Sequence, residues 1–571
     1  MNKYAVQHIM DSSYCFPTSE HDITIRLRTA KDDILEATIF YESKYFIQQH
    51  QNSAKMHKIF SGKEFDYYSV DLHLEDTRLA YVFYLYDGKE YKYFSEDGLT
   101  DTYDYSVSFY NFFQFPYINK ADILPMVDWM KTARFYQIFV DRFCIGDTSK
   151  DMGYVNLKWG DKPTPKSFAG GDIKGITQKL DYIKSLGANA IYLTPIFKSI
   201  SNHKYDISDY LEIDEDFGSK KDLKELVDKA HEKGMRIVLD AVFNHCSDEI
   251  AQFQDVLNKG KESRYYDWFI IDGDKPDQDN VNYETFASCN YMPKLDTSNP
   301  KVRDFLTGIA VHYIKEYHID GWRLDVSDEV SHDFWRDFRR AVKKADENAV
   351  IIGENWHDAS VYLKGDQYDS IMNYAFTKAA LDFFSTGSLD AKGMAERLND
   401  LLARNSDTVN HMMLNLLDSH DTHRFYSEVS EDDRKFKAAL CLLYLFPGVP
   451  CIFYGTEIKI PGGYDPDCRK CMDWDKADKI KDTDIYRLLT ALAEIRQKYD
   501  FSNAYPVITT DESGDVLELR YIISDTGINL YINNTDKDVV LIDKDNCVEH
   551  KISAYETLII VGGKALLSTL K

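Results

Sequence analysis

The chain runs to 571 residues, more than one hydrophobic core organises, so two to four domains are expected and none needs staples. Sixty-eight basic against ninety-four acidic side chains leave a net charge of −26, which repels nucleic acid and anionic membranes and argues against a polyanionic substrate. No apolar run approaches the roughly 18 residues of a membrane span, and the opening MNKYAVQHIMDSSYCF has no charged-then-apolar leader pattern, so the expectation is a soluble cytoplasmic protein.

Residues 1–122 read as short alternating segments, DITIRLRT (22–29), ILEATIFYE (34–42) and RLAYVFYLYDG (78–88), broken by charged turns: a β-sandwich pattern. From about Arg134 the pattern becomes short apolar runs, each followed by an amphipathic stretch, as parallel β/α architecture requires. The runs are FYQIFV (135–140), AIYL (190–193), RIVLD (236–240), GWRLD (321–325), VIIGE (350–354), SIMN (370–373), MMLNLLD (412–418) and CIFY (451–454). Eight such strands, separated by helices such as 172–187 and 221–234, predict an α/β fold, a (β/α)8 TIM barrel spanning 123–499. The stretch between Asp240 and Gly321 is too long for one helix, so 246–295 is expected to be a domain inserted after the third strand. Alternation returns in 516–524, 528–534 and 557–563, giving a C-terminal β-sandwich over 500–571. Nine cysteines from Cys15 to Cys547 are an odd number without framework spacing, which fits reduced thiols, and the lone CxxC, Cys468 and Cys471, lacks the second pair that zinc needs.

In such a barrel the carboxyl ends of the strands converge on one face, whatever their distance in sequence. Here they carry Asp240, Asp325, Glu354 and Asp418, followed by Asn244, His245, His420 and Asp421, with Arg323 two positions before Asp325 on the same strand face. A single acidic strand end is an ordinary helix cap; four of eight, beside an arginine and two histidines, argue for a site. Breaking an acetal with retention needs a carboxylate to attack the anomeric carbon and a carboxylic acid about 5–5.5 Å away to protonate the leaving oxygen, a spacing that two adjacent strands supply. Arg323 is expected to favour ionised Asp325, which suits a nucleophile. Glu354, behind apolar residues and two positions before Trp356, is expected to keep its proton, which suits the acid.

DAVFNH (240–245), GWRLDVSDEV (321–330), IIGENWHDA (351–359) and LLDSHDTHR (416–424) resemble the four ordered motifs of the α-amylase superfamily, glycoside hydrolase family 13. MPKLD (292–296) resembles the signature of its neopullulanase, cyclomaltodextrinase and maltogenic amylase branch, and the likeness spans nearly the whole chain. The resemblance implies Asp325 as nucleophile, Glu354 as acid/base and Asp421 as transition-state stabiliser, with His245 and His420 bonding the same sugar. It places the stacking tyrosine on Tyr205 with His203 beside it, in SNHKYDISDY (201–210), and a clamp for more distant hydroxyls on Asp465 and Arg469, in GGYDPDCRKCMDW (462–474). Trp356 and Phe286 resemble acceptor-side residues that admit bulky rings and α-1,6 linkages. The implied substrates are cyclodextrins, pullulan and malto-oligosaccharides, with transglycosylation alongside hydrolysis. A plain α-amylase, a 4-α-glucanotransferase and a non-catalytic glucan-binding protein remain as alternatives.

The branch often binds calcium through oxygen ligands. The matching positions are Ile145, Gly146, Asp147, Lys150, Asp151, Gly170 and Asp172; Ile145 offers no side-chain oxygen and Lys150 brings an ammonium, so a weakened or absent calcium site is expected and no cofactor is required. The N-terminal segment resembles the branch's starch-binding-like domain, which implies a homodimer, with Tyr45 at the position that reaches the partner's cleft.

Overall fold

A computed structural model of the protein describes residues 1–107, 111–543 and 548–569 and resolves into two compact units. One comprises Val127–Ser385 with Met412–Ser502 and holds an eight-stranded parallel sheet. Its strands, labelled in chain order, are β1 (Phe135–Ile138), β2 (Ala190–Leu193), β3 (Arg236–Ala241), β4 (Gly321–Leu324), β5 (Val350–Gly353), β6 (Ser370–Ile371), β7 (Leu414–Leu416) and β8 (Val449–Phe453). Adjacent strands pair from β6 through β1 to β7, and a parallel bridge between Met372 and Leu414, with the Asn373 amide donating to the Leu414 carbonyl at 2.8 Å, joins the two ends into a barrel. Nearly every strand residue is buried, which is why the strands read as continuous apolar runs rather than alternating ones. The first strand is shorter than its apolar run suggests: Val140 opens a one-turn helix, Val140–Phe143.

Helices cover the barrel, among them Lys220–Glu232, which opens on a capping box between Ser219 and Asp222. The stretch after β3 is irregular, with a helix at Ala251–Lys259 and isolated bridges that return it to the barrel at His245 and Lys294.

The other unit comprises Met1–Met126, Thr386–His411 and Asn503–Ser568. Its N-terminal part packs a four-stranded and a six-stranded antiparallel sheet around a core that includes Ile25, Leu27, Ile39, Tyr81, Phe83 and Phe113. Its C-terminal part has a five-stranded sheet and a two-stranded one, with Tyr531, Leu541, Ile552 and Ile560 in the core. The helix Ala391–Ala403, which lies inside the barrel stretch in sequence, belongs to this unit. It packs against the strands His57–Ser61 and Val507–Thr510, and Asn399 Nδ2 donates to the Ile508 carbonyl at 3.1 Å. Eight cysteines are free thiols and the ninth, Cys547, lies outside the described residues. Among the described residues no helix is long and apolar enough to cross a membrane.

Candidate active site

The ends of β3, β4 and β5 build the centre of the site. Asp240 and Arg323 face each other across the β3–β4 ladder, and Asp325 stands two residues beyond Arg323 on the same face. Leu324 pairs with Gly353, and the Glu354 amide donates to the Leu324 carbonyl at 2.9 Å, so Asp325 and Glu354 leave neighbouring strands at one level. Strands lie about 4.8 Å apart, close to the roughly 5–5.5 Å separation of a retaining pair. One guanidinium joins all three acids: Arg323 Nη1 is 3.0 Å from Asp240 Oδ2 and 2.8 Å from Asp325 Oδ1, and Nη2 is 2.8 Å from Glu354 Oε1. The backbone completes the grip, since the Val326 amide donates to Glu354 Oε2 at 3.0 Å from a residue with φ 44°, a left-handed conformation uncommon for a β-branched side chain.

Charge explains how the trio behaves. Burial pushes Asp240 up to about 6 against the pull of Arg323 and Tyr192. Burial also raises Glu354, with the Asp421 charge adding to it against Arg323. Asp325 goes the opposite way from the sequence expectation: its carboxyl is driven well above 3.8, because burial and the neighbouring Glu354 and Asp240 outweigh the arginine. The correction has a simple cause. One guanidinium cannot neutralise three buried carboxylates, so Asp325 has no private counter-ion.

Asp421 is held at the mouth of the barrel by two cationic or polar neighbours. Arg469 Nη2 donates to its Oδ1 at 3.2 Å, while Arg469 Nη1 pairs with Asp465 at 3.0 Å and Nε donates to the His420 carbonyl at 2.7 Å. Gln137 Nε2 donates to His420 Nδ1 at 2.7 Å, so the ring proton sits on Nε2, 2.6 Å from the Tyr205 oxygen and 3.1 Å from Asp421 Oδ2. Tyr205 donates in turn to Asp240 Oδ2 at 3.0 Å, as does Tyr192 at 2.6 Å. Burial, with Arg469 and Arg323 nearby, pushes His420 well below the histidine range and keeps the imidazole neutral.

Around this centre lie the remaining sequence candidates. The Tyr205 ring is parallel to His420 (5.6 Å, 4°), and the Tyr205 amide donates to His203 Nδ1 at 3.1 Å. Burial lowers His203 and takes His245 down to about 3. His245 stacks on Phe286 of the inserted segment at 4.6 Å, and its buried Nε2 has no hydrogen-bond partner among the described residues. A buried unpaired ring nitrogen is costly. Trp356, 54% exposed, lies flat on Tyr374 at 3.7 Å. Asp418 stands apart from the trio: it accepts the Phe425 amide at 2.8 Å and serves the fold.

Three residues of this constellation escape the motif reading, Gln137, Tyr192 and Tyr374, while Lys294, inside the MPKLD signature, turns its ammonium to Asn244 and, at 3.1 Å, to Glu329. Gln137 and Tyr192 did leave a signal, as polar-tipped side chains inside otherwise apolar barrel strands.

The residues that match a calcium loop do not fit the ion. Lys150 Nζ donates to the Gly170 carbonyl at 2.8 Å and the Asp216 carbonyl at 2.7 Å and pairs with Asp172 at 3.2 Å. Asp172 accepts the amides of Gly146, Asp147 and Gly175, Asp147 pairs with Lys174, and Asp151 accepts the Gly153 amide at 2.8 Å. An ammonium holds the oxygens that a hard cation would need.

Over residues 137–506 the chain matches the family described as alpha amylase, catalytic domain, and over residues 1–119 the one described as alpha amylase, N-terminal ig-like domain. It is 41% identical to a cyclomaltodextrinase of Thermoanaerobacter pseudethanolicus over 544 residues, covering 95% of this chain and 94% of that protein. Identity to neopullulanase 2 of Thermoactinomyces vulgaris is 38% over 548 residues, covering 94% and 92%. A solved cyclomaltodextrinase structure superposes with a TM-score of 0.90 at 36% identity, covering 99% of each chain. With likeness at this level running through almost its whole length, the chain belongs to the α-amylase family of glycoside hydrolases.

Proposed function

We propose that the enzyme hydrolyses α-1,4 and some α-1,6 glucosidic bonds in cyclodextrins, pullulan and malto-oligosaccharides, with retention of configuration. The observation that carries this reading is the pair Asp325 and Glu354, leaving adjacent strands at one level on a single guanidinium. Glu354 protonates the glycosidic oxygen while an Asp325 oxygen attacks the anomeric carbon, giving a glycosyl ester and releasing the leaving sugar. Water, deprotonated by Glu354, then opens the ester. A sugar hydroxyl at the same position gives transglycosylation instead. Asp421, His420 and His245 bond the ring hydroxyls and tighten as the ring flattens, Tyr205 stacks beneath it, and Asp465 with Arg469 holds the next hydroxyls. Trp356 and Phe286 face the acceptor side.

Likeness to a cyclomaltodextrinase and a neopullulanase favours this substrate range over a plain α-amylase or a glucanotransferase. A non-catalytic glucan-binding protein would have no need of three buried carboxylates on one arginine, a costly arrangement. Product chromatography from pullulan, starch and β-cyclodextrin at equal mass tests the reading: panose or maltose from pullulan and ring opening of β-cyclodextrin are expected, and attack on starch alone would make it an α-amylase.

Further parts of the reading concern the setting. No metal is required, Lys150 taking that place. Net charge and free buried thiols favour the cytoplasm, without nucleic acid or membrane as partner. The N-terminal sandwich forms a homodimer contact, to which Tyr45 and Phe46, 62% and 53% exposed, contribute apolar area. Sedimentation at micromolar concentration is expected to give twice the 66.3 kDa chain mass, and a single species of one chain mass removes the dimer.

A further inference from the structure

The segment that presents His203 and Tyr205 is anchored by a lysine between them. Lys204 has φ 62° and is wholly buried, its Nζ 2.9 Å from Asp214 Oδ1, 3.3 Å from Asp216 Oδ2 and 3.2 Å from the Ser199 carbonyl. A buried ammonium costs several kcal/mol unless every proton finds a partner, and here two of the three partners are the ends of one loop, 214–216. The loop 214–216 is gripped from its other side by Lys150, whose Nζ donates to the Asp216 carbonyl at 2.7 Å, with the Tyr154 hydroxyl adding a bond at 3.1 Å. Lys150 also holds the Gly170 carbonyl and Asp172, and Asp172 caps the helix Ile173–Gln178 through the Gly175 amide at 2.7 Å. Two ammonium groups therefore meet on Asp216, one on its carboxylate and one on its carbonyl, and the second ties that residue to the start of a barrel helix.

We propose that Lys150 and Lys204 form a two-ammonium clamp through Asp216 that positions the Tyr205 ring for the glucan. Lys150 is a positioning residue: it touches no reacting group, yet it sets sugar affinity by fixing the loop on which Lys204 rests. The clamp supplies with fixed side chains the cross-linking that a divalent cation would give, so the platform is independent of free metal. The inference rests on the reading of Tyr205 as a glucan platform.

The test is maltotriose binding by calorimetry in the Asp325→Asn background, which removes turnover. Lys150→Met is expected to weaken binding about fivefold or more, because hydrogen bonds to a charged donor are lost, and Lys150→Arg to recover most of it. Tyr205→Ala weakens binding further, and adding Lys150→Met to Tyr205→Ala costs nothing more, since the clamp acts only through that ring. Should Lys150→Met fail to fold, Lys150→Gln, which keeps a donor for the Gly170 carbonyl, takes its place in the same cycle. Additive losses would make Lys150 a fold staple only and overturn the clamp. Tightening of maltotriose binding by Asp325→Asn in millimolar calcium, or weakening by a chelator, would overturn it as well. Absence of maltotriose binding in Asp325→Asn itself is a different result: it removes the glucan reading of Tyr205, and the clamp falls with its premise.

Discussion

Asp325→Asn is expected to lower kcat on malto-oligosaccharides by about four orders of magnitude or more, because an amide cannot form the glycosyl ester. Maltotriose affinity stays within a few-fold of wild type, since Tyr205, His420, Asp421 and Arg469 keep their mutual bonds. The same substitution is expected to leave the apparent Tm at pH 7 equal to or above that of the parent. Asp325 is one of three carboxyls competing for Arg323, and its folded pKa stands above the unfolded value of 3.8. A carboxyl shifted in that direction costs stability at every pH above its unfolded value, and the cost disappears below about pH 4, where both states are protonated. The Tm advantage of the amide should therefore shrink as pH falls. Thermal melts at pH 7 and pH 4 beside steady-state kinetics check both halves; near-normal turnover would reassign the nucleophile, and a large fall in Tm at pH 7 would contradict the excess of buried negative charge on Arg323.

That coupling of lost stability to gained function shows why part of the site was legible in the sequence and part was not. Acidic residues closing short apolar runs announce themselves by their number, because helix capping explains one such strand end but not Asp240, Asp325 and Glu354 together. Their protonation does not announce itself. Arg323 beside Asp325 in sequence suggests a private ion pair, whereas the ladder register brings Asp240 to the same guanidinium and the next strand brings Glu354. Pairwise reading along a strand misses neighbours across strands. Gln137 and Tyr192 show as polar tips in apolar strands, but each acquires a role only when the sheet closes and sets it against His420 or Asp240. The helix Ala391–Ala403 falls within the 123–499 span yet groups with the other unit, and nothing local records that Asn399 bonds Ile508, more than a hundred residues away. Lys150, by contrast, was readable as an ammonium among oxygens; its meeting with Lys204 on Asp216 was not.

Glu354→Gln separates the two carboxyl roles. The amide cannot protonate a leaving oxygen, so kcat on maltotriose is expected to fall about 10³- to 10⁴-fold, the scale of general acid catalysis. A fluoride leaving group needs little protonation, so α-glucosyl or α-maltosyl fluoride should lose far less in the first step and accumulate the Asp325 ester. Azide needs no general base, and adding it is expected to restore turnover and give the α-configured glycosyl azide, the mark of a double displacement. The pH dependence follows from the direction of the shifts. With Asp240, Asp325 and Glu354 all pushed upward by burial, the proton that Glu354 must deliver persists above the usual carboxylate range and is lost as pH rises through the raised apparent pKa of the trio. Wild-type kcat/KM should therefore fall on the alkaline side, and Glu354→Gln acting on the fluoride should lack that fall. If azide fails to rescue the variant, or the product is β-configured, Glu354 is not the acid/base and the reaction does not run through an ester on Asp325.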